Sequence, residues 1–141
     1  MTNLEQYERI ARKLGELHKY MQKMQGQLLA KYDISVLEYH IILLLWKKKA
    51  LSQNDLVMEL NVDKALISRQ IQNMEKKDLI ISGTDPDCRR KKILLLSEKS
   101  KEMIPHLQKV HEDGLKGTFS DISPESLSDF EHIIERLVEK L

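Results

Sequence analysis

Residues 51–80, LSQNDLVMELNVDKALISRQIQNMEKKDLI, decide the fold. Ser52-Gln53-Asn54-Asp55 has the composition of a capping box: a hydroxyl that can accept from the third helical N–H, and a carboxylate that can reach back to the cap. Leu51 and Leu56 are spaced as a hydrophobic staple around it, and Leu56, Val57 and Leu60 form the inward face of a short helix. After Asn61-Val62, Asp63 is positioned to cap another helix, whose buried stripe is Leu66 or Ile67, then Ile71 and Met74. The opposite side of that second helix offers Lys64, Ala65, Ser68, Arg69, Gln72 and Asn73. These include donors that fit guanine, adenine and phosphate, with Arg69 and Ser68 the first candidates.

Immediately downstream the period changes. Leu79-Ile80-Ile81 and Ile93-Leu94-Leu95-Leu96 are short apolar runs separated by the turn-rich Gly83-Thr84-Asp85-Pro86-Asp87, which reads as a β-hairpin. The hairpin carries Arg89-Arg90-Lys91-Lys92, a run able to enter a minor groove or neutralise phosphates. Residues 63–92 hold eight basic and five acidic side chains, a local +3 in a chain whose net charge is only +1. Two short helices with a polar outer face, followed by a basic hairpin, are the parts of a winged helix-turn-helix, and double-stranded DNA is the partner such parts fit.

Outward from this centre, the N-terminal segment repeats apolar residues in steps of three and four: Leu4, Tyr7, Ala11, Leu14, His18 or Leu17, Met21, Met24 and Leu28, a long helix with a seam. Ser35-Val36-Leu37-Glu38 is a second capping box, opening a helix in which Val36, Leu37, His40, Ile41, Leu43, Leu44 and Leu45 leave almost no polar face, so that helix belongs in the core. A helix from Ser97 meets Pro105, where a kink or break is expected, and should fade near Gly114 and Gly117. Ser123-Pro124 caps the last, with Ile122 and Leu127 as its staple and Leu127, Phe130, Ile133, Ile134, Leu137, Val138 and Leu141 as its apolar stripe. The two terminal seams exceed what a small winged-helix core can cover, which points to a homodimer; pairing of the two helices within one chain is the alternative.

Composition narrows the class. A chain of 141 residues, 41% apolar and 32% charged with five Gly and three Pro, suits one helix-rich soluble domain. The longest apolar run, Ile41 to Trp46, is far short of the roughly 20 residues a bilayer needs, and the N-terminus lacks a basic and then apolar leader, so the cytoplasm is expected and no membrane contact. One cysteine, Cys88, allows no internal disulfide and no Cys-rich zinc site. The chain has no phosphate-cradling glycine loop, G-x-S-x-G or H-E-x-x-H, so no enzyme is read here, nor a cofactor.

The quoted stretch, together with DPDCRRKKILLLSEKS at 85–100, resembles the MarR family of bacterial regulators. These segments look like its second and recognition helices, the G-L-I-x-R strand start, and the D-P-x-D-R-R wing leading into an L-T-x-x-G helix start. The resemblance implies a mainly α winged helix-turn-helix over residues 1–141. Residues 1–33 and 98–141 would supply interlocking dimerisation helices, and residues 34–97 the DNA-binding lobe. It also implies a pseudo-palindromic operator, repression, and release by a small-molecule or oxidant inducer. A winged helix used only for protein–protein docking, without DNA, is the rival reading.

This chain departs from the pattern in the wing. Cys88 stands where the family has its wing aspartate, Arg90 holds the wing arginine's place, Ser82 replaces the arginine of G-L-I-x-R, and Asp78 replaces its glycine, a left-handed position Asp tolerates. With both charged partners gone, Asp87 is the candidate substitute for the aspartate. Cys88, beside four basic residues on an exposed turn, is a candidate oxidant sensor or an incidental substitution. Glu38, His40, His106 and His111 invite comparison with zinc-responsive relatives, but His106 and His111 are five apart rather than four, and no metal site is expected. His18, Met21, Tyr39, His40 and Trp46 are candidates for an inducer pocket; core packing is the commoner explanation of such residues.

Overall fold

Five of the six helices begin where a side-chain hydroxyl accepts a backbone N–H of the first turn, and these caps fix the element boundaries. The computed structural model describes residues 2–141 and runs α1 (Asn3–Ala30), α2 (Val36–Lys48), α3 (Gln53–Leu60), α4 (Lys64–Lys76), β1 (Ile80–Asp85), β2 (Cys88–Leu96), α5 (Glu98–Phe119) and α6 (Pro124–Val138). The capping boxes at Ser35/Glu38 and Ser52/Asp55 are both closed, each by two bonds of 2.9–3.1 Å. Thr2 and Glu5 close another ahead of α1, and Ser97 and Ser123 cap α5 and α6. Asp63 is the exception: it stands at the N-cap of α4 but its carboxylate makes no cap hydrogen bond. The residue type was right for a cap, but the bond is not made.

The core forms around α2, where Tyr39, Ile41, Ile42 and Leu45 are buried against Leu29 of α1, Leu56 of α3, Ile67 and Met74 of α4, and Ile104 and Leu107 of α5. The helix is not inward all round, since His40 and Trp46 are exposed. Two non-glycine residues accept a left-handed backbone at the joints of the central motif: Asn61 (φ 50°) between α3 and α4, and Asp78 (φ 58°) after α4. Short side chains that can bond locally lower the cost of that conformation.

The break expected in the fifth helix does not occur. α5 runs unbroken through Pro105 and past Gly114 and Gly117 to Phe119. Pro105 removes one N–H donor from the ladder, and burial of Ile104 and Leu107 on either side holds the helix across it. Gly114 serves packing: a Cβ there would lie 3.3 Å from Leu28 Cδ1 and 3.8 Å from Met24 Cε, so its bare backbone lets α1 approach α5. By contrast, α6 buries no residue, and its stripe of Phe130, Ile133, Leu137 and Val138 faces outward together with Leu4, Tyr7 and Ile10 of α1. Among the described residues, no helix is long and apolar enough to cross a membrane.

β1 and β2 pair antiparallel from Ile80↔Leu96 to Thr84↔Lys92, then the register jumps to Asp85↔Cys88. Both strands extend further than the apolar runs suggested, since Gly83 and Thr84 lie within β1. Leu51, just before α3, bridges to Leu94 through two backbone bonds of 2.7 and 3.3 Å, which clamps the hairpin against the helix-turn-helix.

Candidate nucleic-acid interface

Burial of Ile67, Ile71 and Met74 orients α4 and turns its other side outward. Lys64, Ala65, Arg69, Gln72 and Asn73 are exposed and Ser68 is half-buried, so the six residues read from the sequence share one solvent face. Because Asp63 does not cap this helix and its first turn holds no acidic residue, the positive end of α4 is left open, with Lys64 beside it. Uncapped N–H groups and the helix dipole together favour an anion at that point.

The jump in register decides what the wing presents. Between the pairs Thr84↔Lys92 and Asp85↔Cys88, residues Arg89, Arg90 and Lys91 have no cross-strand partner, so three of the four basic residues are carried on a bulge. Bulges re-aim side chains away from the ladder. Lys92 is engaged differently: its ammonium lies 3.7 Å from Glu75 Oε1, the oxygen that also accepts from Ser82 Oγ at 3.3 Å. Glu75 of α4 therefore ties the wing to the helix. The substitute expected at Asp87 is not used this way. Its carboxylate has no protein partner among the described residues, while its N–H donates to Asp85 Oδ1 at 2.9 Å, so Asp85 braces the turn.

Between wing and helices lies a groove of about 470 Å³ lined by Ser52, Gln53, Asn54, Lys64 and Arg90-Lys91-Lys92. The Ser52 bonds hold the Asp55 carboxyl below the usual carboxylate range, with a smaller contribution from the charge of Lys91. Gln53 and Asn54 escape the sequence reading as contact residues. Their place in the first turn of α3 was legible, but the fold-back of the wing beside them depends on the Leu51–Leu94 bridge, a non-local pairing.

The MarR family model matches residues 34–92, the span that holds this groove, α4 and most of the wing. Over this segment the chain is similar to the MarR family. A Bacillus subtilis relative, the uncharacterized HTH-type transcriptional regulator YdgJ, is 26% identical over 92 residues, a match spanning 65% of this chain and 56% of that protein. The fold extends to the helices outside the segment. A MarR transcriptional regulator from Methanosarcina mazei Go1 superposes with a TM-score of 0.80 at 22% identity, over 94% of this chain and 96% of the other. A mutant of MarR from E. coli, crystallised with operator DNA, gives 0.82 at 11% identity, over 97% and 99%.

The helices around the winged lobe also line a second, open cavity. His18, Met21, Tyr39 and His40 come together in a cavity of about 530 Å³ between α1, α2 and α5, joined by Gln22, Gln25 and His111. Trp46 does not join them. It lies two turns further along α2, about 10 Å away along the axis, in a separate groove of about 800 Å³ beside Ile81 and Leu95. Within the cavity, Gln25 Nε2 and His111 Nδ1 are 3.0 Å apart, and the Tyr39 ring contacts both His111 (5.4 Å) and His40 (5.8 Å). Burial pushes the Tyr39 hydroxyl up, while partial desolvation and then the charge of His111 push the His40 imidazole below its ordinary value.

That shift has a sign. A histidine whose folded pKa lies below the unfolded 6.5 binds protons better when unfolded, so stability falls as pH drops through that range. Urea unfolding at pH 7.5 and 5.5 is expected to show this loss, and a smaller loss in His40→Gln.

Glu38 is committed elsewhere, buried and bonded to Lys77, and His106 is exposed away from His111. No group of three His, Cys, Asp or Glu among the described residues is arranged to hold a metal ion. Cys88 is exposed at the start of β2, opposite Asp85.

Proposed function

We propose that this protein is a cytoplasmic, homodimeric transcription regulator that binds a pseudo-palindromic duplex operator as a repressor and leaves it on a small-molecule or oxidative signal. One observation carries the reading: the first turn of α3, Lys64 at the uncapped positive end of α4, and Arg90-Lys91-Lys92 of the wing line one groove of the winged lobe. In this assignment Arg69 and Ser68 read base edges, with Gln72 and Asn73 beside them. The wing residues and Gln53 and Asn54 meet the backbone on either side. The operator complex of the structurally similar E. coli protein supports the same use of the fold.

Residues 1–33 and 98–141 form the dimerisation part and residues 34–97 the lobe. The outward apolar faces of α1 and α6 are the surface a second copy covers. The small-molecule arm rests on the cavity of His18, Met21, Tyr39 and His40, and the oxidative arm on Cys88 alone.

Selection from a random duplex pool, followed by titration at two salt concentrations, tests the reading. It expects an enriched inverted repeat and affinity falling by orders of magnitude with salt. Failure to retain any duplex at low salt leaves the docking-module reading instead. Hydrogen peroxide that loosens the wild type but not Cys88→Ser supports the oxidative arm; equal affinity with and without peroxide removes it.

A further inference from the structure

Among the described residues, Glu38 is the one charged side chain that is buried, at 3% exposure. Its carboxylate does two things at once. Oε1 accepts from the Ser35 N–H at 3.0 Å, closing the cap of α2, and the same carboxylate receives Lys77 Nζ at 3.0 and 3.2 Å. The Lys77 ammonium also donates to the Asp33 carbonyl at 2.8 Å, in the turn between α1 and α2. Lys77 is the C-cap residue of α4. Its own carbonyl accepts from Lys99 Nζ of α5 at 2.9 Å, and the next carbonyl, that of Asp78, accepts from Ser97 Oγ at 2.7 Å. The end of the recognition helix is therefore pinned from the α1–α2 turn, from α2 and from α5.

Glu38 is buried while Lys77 keeps part of its side chain in solvent, and desolvating the carboxylate offsets much of their attraction, so the pair is a poor source of stability. What it fixes is direction. The helix is about 20 Å long, so a tilt of about 5° around its C-terminal end moves Lys64 by roughly 2 Å, whereas bonds to base edges tolerate only about 0.5 Å.

We infer that Lys77 and Glu38 are positioning residues for sequence recognition: the pair sets the angle of α4 in the groove without touching DNA. The inference rests on the DNA-binding reading above. It accounts for a lysine whose ammonium points inward at the end of a helix whose other cations face solvent. It also separates Lys77 from Arg69 and the wing, whose effects are by contact.

The test uses the full chain and two duplexes, one selected from the random pool and one of scrambled sequence. Lys77→Met alone strands the buried carboxylate and is expected to weaken folding, so the informative variant is Lys77→Met with Glu38→Gln, in which Gln retains the cap bond to Ser35. The double variant is expected to keep its helical signal and its affinity for the scrambled duplex, to lose at least tenfold in affinity for the selected one, and to leave the salt slope unchanged. Lys77→Arg should recover most of the loss. Equal binding of the selected duplex by wild type and double variant overturns the inference alone. So does a fall on both duplexes with a slope lower by about two, one for each lobe of the dimer, which marks a direct phosphate contact. A wild type that binds neither duplex overturns the DNA-binding reading, and the positioning role with it.

Discussion

Changing Ile133 and Leu137 to Glu is expected to convert a dimer into a folded monomer and to lower operator affinity by roughly two to four orders of magnitude. The first half follows from packing. α6 buries no residue in its own chain, and Ile133 and Leu137 are 55% and 45% exposed, so charges there remove no contact of the protomer's core. In a dimer the same positions lose their partners and force carboxylates into an apolar seam, which costs several kcal/mol per unpaired ion. The second half follows from linkage. Two lobes held one duplex turn apart make the second contact intramolecular, and that advantage is worth about 10² to 10⁴. Sedimentation and duplex titration measure the two effects, and circular dichroism reports whether the protomer still folds. A dimer that persists with both substitutions sinks the assigned interface. The alternative in which the terminal helices satisfy each other within one chain has already lost its support, since the α6 stripe and Leu4, Tyr7 and Ile10 of α1 all remain exposed.

What could be read from the sequence alone was what depends on neighbours in the chain. The boxes at Ser35/Glu38 and Ser52/Asp55 were legible because donor and acceptor sit three residues apart. Asp78 was legible as a left-handed joint only through the resemblance, which puts a glycine at that place. Readings failed where a distant contact decides. Gly114 has the look of a helix end, yet Leu28 and Met24 of α1 pack against it and α5 continues. Asp87 looked like the residue bracing the wing, but the brace comes from Glu75, twelve positions earlier and on another element. Trp46 has a pocket-like side chain, and only the path of α2 past the hairpin shows that it belongs to a different cavity from Tyr39. The convergence of Gln53 and Asn54 with the wing is of the same kind. It is produced by one backbone bridge, Leu51 to Leu94, for which no local pattern exists.

Removing the three bulged charges, Arg89, Arg90 and Lys91 to Ala, is expected to weaken binding on the order of 10³-fold at about 0.1 M salt, and nearly equally on every duplex sequence. The residues have no cross-strand partner and, among the described residues, no acidic partner within ion-pair distance, so deleting them should leave the hairpin paired through Ile80↔Leu96 to Thr84↔Lys92. If all three meet phosphates in both lobes of a dimer, six contacts are lost, and the slope of log affinity against log salt falls by about five. Lys92 is left in place because its pair with Glu75 holds the wing. Arg69→Ala is the contrasting variant: it should cost about 1 to 3 kcal/mol, mainly on the selected sequence, and broaden the set of sites retained from a random pool. The two variants thus divide affinity from specificity along the geometry of the lobe. An unchanged salt slope in the triple variant would show that the bulge points away from the duplex, and the contacts would then have to come from the α3–α4 side of the groove alone.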